Sequence, residues 1–539
     1  MNGFVTNRRN VFFAIFALLF SVINTHIFFL QYLEGLSGAL ILELICIPVV
    51  GVLVFFIACR LHTFLSKWKI QDEKLPRDSQ SCRRYFFVVC AIQLLAWGVI
   101  LLAYWPGLLN YDISVQLKQG HGEVINTHHP LVHNLYMWFF YYDIGEKLLK
   151  NYNAGIFLSV LVQMILVSGM VSYMHLFLYR RSMKKGIRYA LIGFTSLLPT
   201  VSMIVISTTK DGFFFGFVAL FFTLLCDFEL DRVAFSGNIK KIILMFFATV
   251  GLILFRKNGV YAIIAVAVIS LFQMIYRKEA KECGKTVLTL FIGLLAGIAM
   301  LSGLKAALGA KSGSLKEMLC VPYQQIAYVY SLHEQEIGDE DKSIIEEIIP
   351  TIENYEYYRA DPVKDYAVIE NKKSLLLKLW INLGKKYWKD YITAFLRLDA
   401  GYLSLTDISY SEIYGAANRK GVLLSFWVSD FGVEHRALLP HVEWLYEKLY
   451  TENYFKYVPV LNVLMSPAFY LWLILLLFAF SLTDKKYYTV PLFIFLMTYV
   501  ATLMLGPCVL VRYALPYIIC VPAYGFCVLG TKEEGVSKR

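Results

Sequence analysis

Apolar runs of about 20 residues recur along most of this chain, the length a helix needs to cross the hydrocarbon core of a bilayer. Hydrophobic residues make up 58%, charged residues 17%, and the mean hydropathy is +0.56. At 539 residues the chain has room for several soluble domains, but this composition excludes a string of them. It implies an all-α polytopic membrane protein. A hydropathy window of roughly 19 residues places about twelve transmembrane helices. They lie near 11–31, 38–59, 85–105, 153–178, 189–207, 212–228, 242–255, 259–276, 286–308, 457–481, 487–506 and 513–530. The first run, Val11 to Leu30, has no small-residue cleavage site and reads as a retained span.

Loop charges orient these spans. Arg8 and Arg9 precede the first, and the loop after the second holds Arg60, Lys67, Lys69, Lys74, Arg77, Arg83 and Arg84. Alternate later loops carry Arg180-Arg181, Lys184-Lys185, Lys240-Lys241, Arg277-Lys278 and Lys485-Lys486. By the positive-inside tendency these loops and both termini are cytoplasmic in a cell (plasma) membrane. One stretch, His129 to Asp143, is apolar enough to compete as a span, but a crossing there would invert every later loop. It is therefore read as a surface helix on the outer face, with Pro130 at a first helical position.

Three regions follow. Residues 1–308 form an N-terminal transmembrane module whose first outer loop and surface helix occupy 106–152. Residues 309–456 form an extracytoplasmic, mainly helical soluble domain, and 457–539 a C-terminal module of three spans. The middle region holds 16 basic and 22 acidic residues up to position 455, leaving 35 and 18 elsewhere. Helical periodicity is plain in Ser343–Ile349 and Ser374–Phe395. The basic excess of the remainder is a topology signal and gives no case for a nucleic-acid partner. The ten cysteines show neither CxxC nor Cys/His metal spacing, and no disulfide framework is expected; Cys320 and Cys508 both face outward, without grounds to pair them.

With this topology the polar residues at span ends collect on one side. Tyr104-Trp-Pro-Gly-Leu-Leu-Asn-Tyr-Asp112 puts a carboxylate just beyond the third span. The later outer turns carry Lys210-Asp211, Arg256-Lys257-Asn258 and Arg512-Tyr513, and Lys305 lies near the outer end of the ninth span. The surface helix brings His128 and His129. Each has an ordinary alternative: Asp112 as a solvated loop residue, Lys210-Asp211 as a neutralising pair of neighbours, Arg256-Lys257 as a snorkelling anchor, the histidines as helix-start residues. Glu43, inside the second span, is expected to be paired or to snorkel. Arg512, flanked by apolar residues, is costly without a partner. The one-sided clustering of these charges suits a lipid-linked anionic substrate. Lys210, Arg256 and Arg512 would neutralise its phosphate and the charge developing on departure, and a lone carboxylate would serve as general base.

The plan resembles the GT-C-type integral membrane glycosyltransferases. Tyr104-Trp-Pro-Gly…Asp112 followed by His129-Pro130-Leu131 matches the order of that superfamily's first outer loop and surface helices. It is closer still to a poorly characterised bacterial multispanning family related to these enzymes, over most of the chain. That likeness rests on the Pro-Gly…Asp loop, Lys210-Asp211, Arg256-Lys-Asn-Gly259, Val321-Pro-Tyr-Gln-Gln-Ile-Ala327, Tyr391-Ile-Thr-Ala-Phe-Leu396…Gly401-Tyr402 and Arg512-Tyr513. The resemblance implies a GT-C-like fold and transfer of a sugar from a polyprenyl-phosphate donor to an extracytoplasmic envelope glycan, lipid or protein. It makes Asp112 the general base. Lys210, Asp211, Arg256, Asn258, Arg512, Tyr513, His128 and His129 become candidates for substrate binding. Many such enzymes have paired acids in the first loop and two prolines after the His. Here one Pro follows the His, and Asp112 stands alone; lacking a second nearby acid, the site is expected to need no metal, and no cofactor beyond the lipid-linked donor.

A transporter or flippase for lipid-linked sugar and a non-catalytic scaffold are the competing classes. Transporters place polar groups and broken helices near the bilayer midplane. Here the span centres are nearly free of charge, and a scaffold gives no reason for cations at separate outer turns.

Overall fold

The computed structural model describes residues 2–72, 78–406, 431–450 and 454–530. Lys74 and Arg77 of the basic loop, residues 407–430 and 451–453 of the expected outer domain, and the tail 531–539 lie outside the described residues. Among the described residues the protein is all-helical, with only isolated β-bridges. Eight helices among these residues are long and apolar enough to cross a membrane: Asn10–Tyr32, Ala39–Lys67, Ser79–Ala103, Tyr152–Arg180, Lys210–Leu230, Asn258–Tyr276, Ala280–Ala307 and Val511–Leu529. A ninth is added if the pair Lys185–Leu197 and Pro199–Val205, bent by 52°, is one span. The bend falls where a residue before proline is driven to extended backbone, and Leu198 sits at φ −61°, ψ 119°. Three further expected spans are helices of lesser length: Ile239–Phe255 and Pro467–Thr483 with 17 residues each, and Val490–Leu503 with 14.

The helix Lys210–Leu230 is the centre of the molecule. Every residue in it except Lys210 and Phe217 is buried, with Phe213–Phe215, Phe221, Phe222 and Phe228 all inside. At the opposite extreme, Ala39–Lys67 packs along Asn2–Tyr32 and leaves Leu40, Ile41, Leu44, Phe56 and Ile57 exposed. An apolar face of that length without protein cover is the surface that lipid solvates. Its one acid, Glu43, is held by His26 Nδ1 at 2.7 Å.

A second apolar core lies within residues 319–391. It gathers Tyr323, Ile326, Ile345, Ile348, Ile352, Leu376, Leu379, Leu383 and Tyr391. The Val321–Ala327 motif works here as internal fastening: Gln324 Nε2 donates to the carbonyls of Glu356 and Arg359, and Gln325 Nε2 to that of Tyr391. The periodic stretch 374–395 is two helices, Lys373–Lys386 and Trp388–Leu398, broken at Tyr387. This part reaches the turn before Val511, where the Ala360 N–H donates to the Pro507 carbonyl at 2.7 Å.

One detail differs from expectation. The stretch after His129 is a short helix, Leu131–Trp138, continuing as a π-helix over Phe139–Leu148, and Pro130 is the residue before the first helical position. All ten cysteines are free thiols, Cys320 and Cys508 included.

Candidate functional site

The Pro106-Gly107 turn that looked like a solvated loop is stitched into the protein. Leu108 N–H donates to the Ile206 carbonyl at 3.0 Å, and Thr208 N–H returns a bond to the Leu108 carbonyl at 2.9 Å. Gly107 has φ +149°, and a Cβ there would stand 2.7 Å from a Val160 methyl, so this crossing requires glycine. Asn110 then caps the helix Tyr111–Gly120, its side chain accepting from the Asp112 N–H. Asp112 is thus in a first helical turn, where the helix dipole favours a carboxylate. It is 5% exposed.

The bonded segment Ser207–Thr209 leads straight into the central helix, with Thr209 as its cap. The tie between the two turns therefore sets Asp112 against Lys210. Lys210 Nζ donates to Asp112 Oδ2 and lies 3.4 Å from His129 Nδ1, which in turn is 4.0 Å from Asp112 Oδ2. Burial, which alone would raise the Asp112 carboxyl, is outweighed by Lys210 and Arg512, and the group is held well below the usual carboxylate range. Burial and the Lys210 charge push His129 down to about 2. The imidazole is therefore neutral, accepts from the ammonium at Nδ1, and carries its proton on Nε2. Beneath lie Gln116, Gln119, His133 and Asn134, all buried, with His133 Nδ1 2.8 Å from Gln116 Oε1.

Asp211 takes different partners. Its Oδ1 is 3.0 Å from Arg256 Nε, its Oδ2 is 3.9 Å from Arg512 Nε, and Thr209 Oγ1 donates to Oδ2 at 3.1 Å. Asp211 and Arg512 are each 1–2% exposed at the side chain. The Tyr513 ring lies against both guanidinium groups, 4.4 Å from Arg256 Cζ and 4.9 Å from Arg512 Cζ. Arg256 Nη1 is buried and has no hydrogen-bond partner among the described residues. Four turns between helices and the segment leading into the helix Leu131–Trp138 thus converge on one largely buried cluster: Asp112, His129, Lys210, Asp211, Arg256, Arg512 and Tyr513. Three cations face two carboxylates and a neutral imidazole, at the N-terminal end of the central helix. A helix N-terminus adds further positive potential, and such a place takes an anion.

Other expected site residues stand apart. Asn258 Nδ2 donates to Thr502 Oγ1 at 2.9 Å, which pins the Arg256 turn to a neighbouring helix. His128 is exposed, its ring edge-on to His129 at 4.6 Å. Lys305 donates to Ser312 Oγ on the surface. Among the described residues no group of three His, Cys, Asp or Glu side chains is arranged to hold a metal ion.

One carboxyl went unnoticed in the sequence. Asp399 is 2% exposed, and its Oδ2 is buried without a hydrogen-bond partner among the described residues. It neighbours Tyr402, which shares its electrostatic surroundings with Cys508 and Tyr499. Burial raises the Asp399 carboxyl well above its ordinary range. The native protein then keeps a proton that the unfolded chain releases above about pH 4. Stability carried by that proton is lost as pH rises from there toward the raised native value. The Asp399→Asn variant does not titrate, so its stability should gain on wild type between pH 4.5 and 7.5 by up to about 1.4 kcal/mol per pH unit, read as a difference in melting temperature that grows with pH. A pH-independent difference in detergent melting curves would show that the group is ionised in the native state.

A family model described as a family of unknown function, DUF6020, matches residues 111–539, and the chain belongs to that family. All residues of the charge cluster fall inside the matched region. No curated protein and no solved structure matches the chain.

Proposed function

We propose that this protein is a membrane glycosyltransferase, moving a sugar from a polyprenyl-phosphate donor to an acceptor hydroxyl on an envelope glycan, lipid or protein. In this reading the twelve-span, GT-C-like plan and cytoplasmic termini of the sequence topology hold. The cluster then lies on the outer-leaflet side, the side of the 309–456 domain. The observation that carries it is the excess of three cations over two carboxylates, with Arg256 Nη1 lacking an acceptor although its Nε meets the buried Asp211 carboxylate. A buried charge excess is costly, and an anionic ligand removes the cost. A lipid phosphate is the anion that arrives at this depth.

The chemistry follows from that charge balance. Arg256 and Arg512 bind the donor phosphate through their guanidinium forks. The same phosphate attracts Lys210 away from Asp112. Unbound, Asp112 is a weak base because Lys210 holds its proton affinity down; with Lys210 drawn off, its basicity rises toward the useful range. The acceptor oxygen then attacks the anomeric carbon while its proton passes to Asp112. The bond from that carbon to the phosphate oxygen breaks, and its electron pair leaves on the polyprenyl phosphate. The three cations stabilise the charge that develops there. Neutral His129, accepting from Lys210, keeps the ammonium in place without adding a fourth charge.

Donor protection tests the phosphate site. A polyprenyl-phosphate sugar should raise the melting temperature of the wild type in detergent. Arg256→Lys keeps the charge but removes the fork, and each lost charge-assisted bond of about 1.5–3 kcal/mol weakens donor binding by roughly 10–150-fold. Equal protection of both proteins would take Arg256 out of the site. Movement of labelled donor between leaflets without consumption would favour the flippase instead.

A further inference from the structure

Some distance from the charge cluster lies a cavity of about 320 Å³, lined by Lys118, His121, Glu123, Tyr141, Tyr142, Glu146, Tyr152, Phe431 and Gly432. This is the lower end of the ligand-cleft range of about 300–1,000 Å³. From it the geometry points to a saccharide subsite, in which an uncharged or amine-bearing sugar ring of the acceptor stacks on tyrosine faces. The inference rests on the glycosyltransferase reading and names the acceptor class for it.

The walls are aromatic and already satisfied at their polar ends. The Tyr141 hydroxyl donates to the Phe431 carbonyl at 2.5 Å and the Tyr142 hydroxyl to the Leu117 carbonyl at 2.7 Å. Tyr141 and Tyr152 stack at 4.8 Å, and His121 stacks on Tyr142 at 6.2 Å. With the hydroxyls engaged, what these residues offer a ligand is ring surface, which suits the C–H face of a pyranose. Gly432 has φ +61°, and a Cβ there would stand 3.0 Å from the Tyr152 ring, so the backbone approaches that ring closely. Tyr141, Tyr142 and Glu146 all come from the π-helical stretch Phe139–Leu148, a widened turn of the kind found at functional sites.

The polar rim selects among ligands. Lys118 donates, Glu123 and Glu146 accept, and His121 does either. A sugar hydroxyl both donates and accepts, so a mixed rim matches it. A quaternary ammonium would use the aromatic box and the two acids but would meet the Lys118 charge. A phosphate or uronic acid would meet two carboxylates against one ammonium. The cavity is thus opposite in sign to the cluster around Asp112, which separates an uncharged acceptor from an anionic donor. Both are carried by one helix, Tyr111–Gly120, with Lys118 six residues after Asp112, or about 9 Å along the axis. An oligosaccharide seated over Tyr152 bridges that distance to place its end hydroxyl at the acid.

The test uses the full chain in nanodiscs with methyl β-glucopyranoside, glucosamine, glucuronate and choline as probes, read by saturation-transfer NMR. The glucoside and glucosamine should bind, glucuronate at least tenfold more weakly, and Tyr152→Ala should abolish both positive signals. Donor protection by polyprenyl-phosphate sugar should be unchanged in Tyr152→Ala, while transfer to acceptor loses at least tenfold through KM. Absence of sugar signals in wild type, their survival in Tyr152→Ala, or binding of choline alone would overturn the subsite. Glucoside binding that Tyr152→Ala abolishes, in a protein that neither binds nor consumes the donor, would leave the subsite standing and sink the transferase reading.

Discussion

Asp112→Asn should abolish sugar transfer while leaving donor binding intact or stronger. A positioned base contributes about 10²–10⁴-fold to rate, and the amide takes no proton from the acceptor, so turnover falls by that factor. Binding moves the other way. The wild-type cluster holds Lys210, Arg256 and Arg512 against Asp112 and Asp211, and the substitution raises its net charge by one. The variant should therefore melt earlier than wild type, because Lys210 keeps only neutral acceptors, His129 Nδ1 among them. The donor phosphate should restore part of that loss. The two measurements are transfer of labelled sugar in proteoliposomes and the donor-induced rise in melting temperature. Transfer near the wild-type rate would remove Asp112 from the chemistry. Loss of transfer together with loss of donor protection would mean that the variant had merely misfolded.

How far the site was legible in the sequence depends on which property is asked of it. That charges sit at span ends is legible, because a charge in hydrocarbon is expensive and evolution leaves few of them. Their convergence followed from topology, since four turns on one face of a helical bundle are neighbours. The partners within the cluster were not legible. Lys210 and Asp211 are adjacent in sequence and invite a neighbour pair, but consecutive helical residues do not face each other. Lys210 reaches Asp112 and Asp211 reaches Arg256. The solvated-loop alternative for Asp112 failed for a related reason. The bonds from Leu108 to Ile206 and from Thr208 to Leu108 join segments about 100 residues apart, and no local pattern announces them. Asp399 was invisible because its cover comes from other parts of the chain, while its own surroundings read as the end of an amphipathic helix. Span lengths blurred at proline, where Ser466-Pro467 and Leu198-Pro199 break runs that a hydropathy window joins.

The second acid of the cluster should behave in the opposite way to the first. Asp211 has 1% of its surface exposed, and its two oxygens already meet Arg256, Arg512 and Thr209. Set between two guanidinium groups and closed off from solvent, it offers an acceptor hydroxyl no approach, so its work is to hold those groups in place. Removing one partner of a buried ion pair costs about 3–5 kcal/mol, and Asp211→Asn should destabilise the protein by that order. The anionic donor then replaces the missing charge, so its stabilising effect should be larger in this variant than in wild type. At saturating donor, transfer should stay within about tenfold of wild type, since no proton passes through Asp211 and the general base contributes at least that much more. The comparison isolates chemistry from charge balance, because both substitutions raise the cluster by one unit within a few ångströms of each other. If Asp211→Asn lost transfer as completely as Asp112→Asn at saturating donor, the assignment of one acid to proton transfer and the other to the phosphate clamp would be wrong. A difference of more than tenfold between them, with donor protection retained in both, identifies the base.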